Sequence, residues 1–304
     1  MLIQKLLVQV IEGNELMRED FAIFILTHGR PNAQYTVKYL QEHTYTGKWY
    51  LILDNEDSTI DEYIKNYGKE HIIVFDRIKQ AENDEFDICD RFLDKGRNSV
   101  VYARNKCFEI AKNLGLKWFF EYEDDYSEFK MRYSPDGVSL TAYILNNFDL
   151  IIDAMIEYME ECPQITTIAM SQQGDWIGGT GSQMWKDILK RKAMNTFLCN
   201  VDRPFTFIGR MNDDVNTYVS EGARGMLFLT FRDLCMHQQE TQKTGSGNTE
   251  MYQELGTYIK SFYSVMINPS SVKIDMMGLG HRRIHHSINW ENAVPKIISS
   301  KFKV

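Results

Sequence analysis

The sequence contains no apolar run long enough to span a bilayer. Its opening, Met1 to Val10, is apolar but short and interrupted, with no small-residue cleavage site after it. Cysteine is sparse: five residues, an odd number, with no C-x-x-C. That argues against a disulfide framework and against a zinc ribbon, and it fits a reducing, cytoplasmic setting in which the cysteines are small core residues. Two nucleotide signatures are also missing. There is no G-x-x-x-x-G-K-[ST], and no G-x-G-x-x-G follows a strand, so P-loop ATPase and dinucleotide readings are weak. No internal repeat, low-complexity segment or clear linker appears. With 304 residues, 43% of them hydrophobic, the chain can bury a large core, and a single continuous domain is expected.

Charge is unevenly placed. Residues 1–150 hold 18 Lys/Arg against 26 Asp/Glu, and the remainder holds 16 against 16. All of those later bases follow Thr180, where only 11 acids lie. A basic C-terminal part suits a polyanionic partner, although counting alone fits an ordinary surface asymmetry equally well.

The apolar runs alternate with helical patterns. Strands are expected at Phe21–Leu26, Trp49–Leu53, His71–Phe75 and from Lys117 into Glu121-Tyr122-Glu123. Helices are expected after Asn32, over Ser58–Tyr67 with Ser58 as N-cap, and over Val100–Leu114, where Gly115 stops the last. Four strands alternating with helices predict an α/β fold: a mostly parallel sheet flanked by helices on both faces. Further on, a strand near Lys130–Tyr133, a helix over Asn146–Glu161, a strand over Ile165–Met170, a Gly-rich loop over Ser171–Ser182 and a basic helix over Met184–Lys192 are expected.

In a parallel sheet the strand C-termini share one edge, where ligands bind. Strand one brings Thr27, His28, Gly29 and Arg30 there, strand two brings Asp54, and strand four brings Glu123, Asp124 and Asp125. Three consecutive acids either form a solvated turn or hold a hard cation such as Mg²⁺ or Mn²⁺ together with substrate phosphates. Asp54 can accept from a base N–H or a ribose hydroxyl, and Arg30 and Arg104 can reach phosphate oxygens.

The ordered set Thr-His-Gly-Arg-Pro, Asp54, Tyr102-Ala103-Arg104-Asn105 and Glu123-Asp124-Asp125 resembles the nucleotide-sugar half of GT-A fold glycosyltransferases. Glu123-x-Asp125 sits where that fold carries its D-x-D motif, with Glu replacing the first Asp. With Phe207-Ile208-Gly209-Arg210-Met211-Asn212-Asp213-Asp214 added, the pattern over roughly 20–295 looks most like phage glycosyltransferases related to the TET-associated and base-J-associated glucosyltransferases. The resemblance implies a GT-A-like fold, with about 20–130 as the nucleotide-sugar and metal half and about 131–304 as the acceptor half and closing segment. It implies a Mn²⁺ or Mg²⁺ cofactor, a UDP-sugar donor and transfer to a hydroxymethylated pyrimidine in DNA, in the host cytoplasm if the protein is phage-encoded. It also implies roles: Asp125 and Glu123, completed by His281 or His285, for the metal; Thr27, His28, Gly29, Arg30, Asp54, Arg104 and Asp124 for the donor; Asp214, or Asp213, as the base of an inverting reaction. His281 and His285 are read as one helical turn apart. The acids at 213–214 also fit a plain helix N-terminus.

Lys186, Lys190, Arg191 and Lys192 suit phosphate contacts or a solvated face, and Trp176 is placed to stack on a ring or pack on the body. The alternatives are a glycan or lipopolysaccharide acceptor, a metal-dependent nucleotidyltransferase, and a catalytically inactive binding module.

Overall fold

The computed structural model describes residues 16–84, 99–134, 136, 138–181, 186, 190, 192–239, 258–278 and 282–295. Its first half is a run of strand–helix units: β1 (Phe21–Leu26), α1 (Tyr35–Glu42), β2 (Lys48–Asp54), α2 (Ile60–Tyr67), β3 (Ile72–Phe75), α3 (Arg77–Asn83), α4 (Val100–Asn113) and β4 (Trp118–Glu123). Then come β5 (Tyr126–Tyr133), β6 (Thr141–Ile144), α5 (Phe148–Glu161), β7 (Ile165–Gln172), β8 (Phe197–Asn200), α6 (Asp213–Ala223), β9 (Leu227–Gln238), α7 (Ile259–Ile267), β10 (Val272–Met277), β11 (Arg283–Ile288) and α8 (Trp290–Ala293).

Nine strands form one sheet in the order β3-β2-β1-β4-β8-β7-β9-β5-β6. The pairs among β1 to β4 are parallel, as is β7 with β9, while β8 and β5 run against their neighbours. The expected mostly parallel, helix-flanked sheet is therefore present. β10 and β11 form a separate antiparallel hairpin. Among the described residues no helix is long and apolar enough to cross a membrane.

Period-two alternation shows why both faces are covered. On β1, Phe21, Ile23 and Ile25 enter one core with α1 and α5, while Ala22, Phe24 and Leu26 enter the other with α4 and α6. β4 follows the same rule. Trp118, Phe120 and Tyr122 pack on the first face, and Phe119 on the second. Glu121 and Glu123 continue the second face, under α4, so the pleat alone points two carboxylates at that helix.

Several local expectations shift. Helix α2 starts at Ile60, and Ser58 is not its cap. Asp57 Oδ1 instead accepts from the Thr59 backbone N–H and from the Thr59 hydroxyl. β5 begins directly after the acids, at Tyr126. The 283–288 stretch is a strand, so helical spacing does not describe His285. His281 lies outside the described residues, as does most of the expected basic helix.

β9 carries the irregularity that shapes the site. Met170 pairs with Phe231, but the next residue, Ser171, pairs with Cys235. The intervening residues bulge out and redirect the end of the strand. Its last residue, Gln238, then pairs with Tyr126 on β5, beside the acids.

Candidate active site

The C-terminal ends of β1, β2, β4, β7 and β9 meet at one edge. The acid turn there is held by the first turn of α1. The Thr36 hydroxyl donates to the Glu123 carbonyl (2.5 Å) and accepts from the Tyr126 N–H (3.1 Å), while the Thr36 N–H donates to the Asp124 carbonyl (3.2 Å).

The three acids then face three different partners. Asp124 is fully buried and turned toward β1. Its Oδ1 lies 2.9 Å from an Arg30 guanidinium nitrogen, and its Oδ2 accepts from the hydroxyl of Thr27 (2.6 Å) and the amide of Gln34 (3.3 Å). Burial pushes its carboxyl up to about 6 in spite of Arg30. Glu123 has one oxygen 2.8 Å from Arg104 and the other accepting from the Gln238 amide (3.1 Å). Asp125 Oδ2 accepts from that same amide (3.1 Å), whereas Asp125 Oδ1 is buried with no hydrogen-bond partner. Burial raises both Glu123 and Asp125; Asp125 adds to the rise of Glu123, and Asp124 to that of Asp125.

Arg104 is an internal counter-ion. It is 2% exposed, flanked by the rings of Phe197 and Phe207 at 5.1 and 5.3 Å, and its three guanidinium nitrogens meet Glu121 (3.2 Å), Glu123 (2.8 Å) and Asp213 (2.9 Å). It is therefore taken up by protein carboxylates. Burial alone would lower its pKa, but Asp213, Glu123 and Glu121 outweigh that and hold it raised. Glu121, with no exposure at all, is pushed by burial up to about 8 despite Arg104.

Asp213 and Asp214 open α6 after Asn212, which sits at φ +52°. Asp213 is tied to Arg104. Asp214 accepts from the Val215 N–H (2.7 Å) and is raised by burial, with that bond, Arg104, Lys192 and Lys260 acting against the rise. Of the two, Asp213 is the one that forms a direct ion pair with the buried arginine. Asn212 donates to the Lys260 carbonyl (3.0 Å) and lies 3.4 Å from His286 Nδ1. His285 points its Nδ1 at the His286 carbonyl (2.8 Å).

On the β1–β2 side, His28 Nδ1 lies 2.7 Å from Asp54 Oδ2. That bond raises His28. Asp54 is lowered, with the His28 bond and Arg77 overcoming burial. Gly29, at φ +67°, donates its N–H to Asp57 (2.7 Å), and the Arg30 N–H donates to the Tyr63 hydroxyl (2.8 Å). The loop is thus a braced turn that presents His28 and Arg30 to the edge.

The edge brings together Thr27 to Arg30, Asp54 and the acid turn, and Arg104 links Glu123 to Asp213. Among the described residues, no three His, Cys, Asp or Glu side chains are grouped so as to hold a metal, so His285 does not complete a set with Glu123 and Asp125. What does fit a hard cation is the orphaned Asp125 Oδ1 beside Glu123, because Mg²⁺-type sites use one or two carboxylates and take the rest from water and phosphate. Sequence reasoning missed Thr36, Asp57, Glu121 and Gln238. The burial of Glu121 was readable from its place in an apolar strand. The role of Gln238 was not, because it depends on the bulge in β9. A pocket of about 350 Å³ adjoins Gln238 and is lined by Gln172, Gln173, Gly174, Ile177 and Met236.

Comparison with known proteins adds a family. The sequence profile described as TET-Associated Glycosyltransferase matches residues 21–247. No curated protein sequence matches the chain. Among solved structures it is similar to glucosyl-3-phosphoglycerate synthase from Mycobacterium tuberculosis in complex with Mn²⁺ and UDP-glucose, at TM-score 0.47 and 7% identity over 94% of this chain and 90% of that one. It is also similar to mannosyl-3-phosphoglycerate synthase from Rubrobacter xylanophilus, at TM-score 0.40 and 5% identity over 89% and 85%.

Proposed function

The chain belongs to the TET-associated glycosyltransferase family, and from that premise we propose that it moves a sugar from a UDP-sugar onto the hydroxymethyl group of a modified pyrimidine in DNA, with inversion. The observation that carries the reading is the division of labour at the sheet edge. Asp124 and Glu123 are engaged by protein partners, Asp125 keeps one oxygen unengaged, and Asp214 feels Arg104, Lys192 and Lys260 without the direct ion pair that ties Asp213 to Arg104.

In this reading Asp125, with Glu123 beside it, would hold Mn²⁺ or Mg²⁺, which when bound would supply charge neutralisation for a leaving diphosphate. Thr27, His28, Gly29, Arg30 and Asp54 line the uridine side, where His28 is fixed by Asp54 and Arg30 is steadied by Asp124. Asp214 accepts the proton of the acceptor hydroxyl as that oxygen attacks the anomeric carbon. The bond from that carbon to the diphosphate breaks, and UDP departs. Burial favours proton uptake by Asp214, while the Val215 N–H, Arg104, Lys192 and Lys260 favour its charged form. The DNA acceptor draws support from the family and from the basic balance after Thr180.

The test is mass spectrometry of nucleosides after hydroxymethylated duplex is incubated with the protein, Mn²⁺ and a panel of UDP-sugars. A hexose or pentose mass on the modified nucleoside, with UDP released, is expected. Transfer only to saccharides would overturn the acceptor, and pyrophosphate release would replace glycosyl transfer with nucleotidyl transfer.

A further inference from the structure

We infer that Gln238, buttressed by Asn195, is a positioning residue that sets Asp125 to receive the cation; this rests on the proposed metal-dependent reading. The geometry is a fixed relay. The Gln238 Nε2 donates to Glu123 Oε2 and to Asp125 Oδ2, both at 3.1 Å. Two carboxylates can only accept, so the amide nitrogen must face them and the amide oxygen must face away. There it meets Asn195, whose Nδ2 donates to Gln238 Oε1 at 2.8 Å. Asn195 in turn receives the Tyr126 hydroxyl on its carbonyl at 3.0 Å.

Asn195 holds φ +64°, which a residue with a side chain adopts only at a cost. The cost is met where the surrounding bonds leave no alternative, and here those bonds end on the acid pair. With its Oδ2 held by Gln238, Asp125 has a fixed rotation, and its Oδ1 is left bare. Glu123 has no such spare oxygen, because Arg104 holds the other one. The relay therefore selects which carboxylate oxygen is offered. Gln238 also lines the pocket with Gln172 and Gln173, so the same side chain borders both the cation and whatever occupies that pocket.

Carboxylates that bind metals depend on such outer hydrogen bonds, and losing one typically weakens metal affinity by about 10–100-fold. The experiment titrates Mn²⁺ by electron paramagnetic resonance in the presence of UDP, on the full chain. Gln238→Met keeps the length and removes the donor. It should weaken Mn²⁺ binding by about 10–100-fold, while UDP binding at saturating Mn²⁺ returns to the wild-type level. A general packing defect would not be corrected by excess metal. Asn195→Gly accepts the positive φ and removes only the donor to Gln238, so it should weaken Mn²⁺ in the same direction and by less.

Unchanged Mn²⁺ affinity in either variant overturns the inference. If Gln238→Met fails to fold, Asn195→Gly decides alone. Asp125→Ala separates the two layers of reasoning. If it binds Mn²⁺ as the wild type does, the cation reading itself fails. If it loses Mn²⁺ while both relay variants retain it, only the role of Gln238 fails.

Discussion

Replacing Arg104 by Met tests how the buried charge is balanced. The guanidinium is 2% exposed and touches Glu121, Glu123 and Asp213. Removing one partner of a buried ion pair costs about 3–5 kcal/mol, because the other charge is left uncompensated. Protonation limits that cost. Glu121 already titrates at about 8 with the arginine present, and loss of the arginine raises Glu123 and Asp213 further. A carboxyl whose folded pKa is raised stabilises fully only below its unfolded value, near 4.5 for Glu. It loses about 1.4 kcal/mol per pH unit as the pH climbs toward the folded value. Glu121 contributes this slope to both proteins. Glu123 and Asp213 are raised to about 7 with the arginine present and rise further in Arg104→Met, so above about 7 they go on losing stability only in the variant and the penalty grows with pH. Urea midpoints at pH 6 and pH 8 should give a destabilisation larger at pH 8 by at least about 1.4 kcal/mol. Adding Glu121→Gln to the variant should recover about 1–3 kcal/mol by removing a carboxyl that has to be neutralised. An equal penalty at both pH values, with no recovery in the double variant, would refute the reasoning.

Asp214→Asn should lower the rate of sugar transfer by about 10²–10⁴-fold with donor binding intact, the usual span for loss of a general base. Asp213→Asn should instead lower the denaturation midpoint, since its partner is Arg104. Asp54→Asn should return the His28 imidazole toward 6.5, read by proton NMR. In the wild type the raised His28 contributes stability that is present below 6.5 and lost as the pH rises through its folded value. The lowered Asp54 contributes stability that is present above 3.8 and lost as the pH falls through its own folded value. Gly209→Ala should cost at least about 1–3 kcal/mol in thermal or chemical denaturation, because φ is +86° and the new Cβ would lie 2.6 Å from Tyr263 Cε1 and 2.8 Å from Ile267 Cδ1.

The first half of the fold was readable because each strand there is a continuous apolar run. A parallel sheet covered on both faces demands that pattern, and β1 is buried along its whole length. The strand ends were readable for the same reason: each run breaks abruptly into polar residues, at Thr27, at Asp54 and at Glu123. Side-chain direction at those ends was not. Asp124 and Asp125 are neighbours in sequence, yet one turns toward Arg30 and the other keeps a buried oxygen without a hydrogen-bond partner. Arg104 looked like a phosphate ligand because arginine at a sheet edge often is one. Its true partners follow from the pleat of β4, which aims Glu121 and Glu123 at the helix above. The residues from β9 escaped notice because a bulge changes which positions meet, and no local pattern encodes that.

β4 and β5 are separated in the chain by two residues only, Asp124 and Asp125, yet β8, β7 and β9 lie between them in the sheet order. The hydrogen bonds that finish the acid pair come from a residue 115 positions after Glu123 and 113 after Asp125. A growing chain released from its N-terminus can complete β1 to β4 early, since their pairings are closer in sequence. It then carries an unfinished cluster of acids until Gln238 has been made and β9 has docked. In the proposed reading, competence to hold a cation would thus be acquired late in synthesis, when β9 docks. A truncated product ending before β9 would keep the acids and the loops of the first half without the amide that orients Asp125.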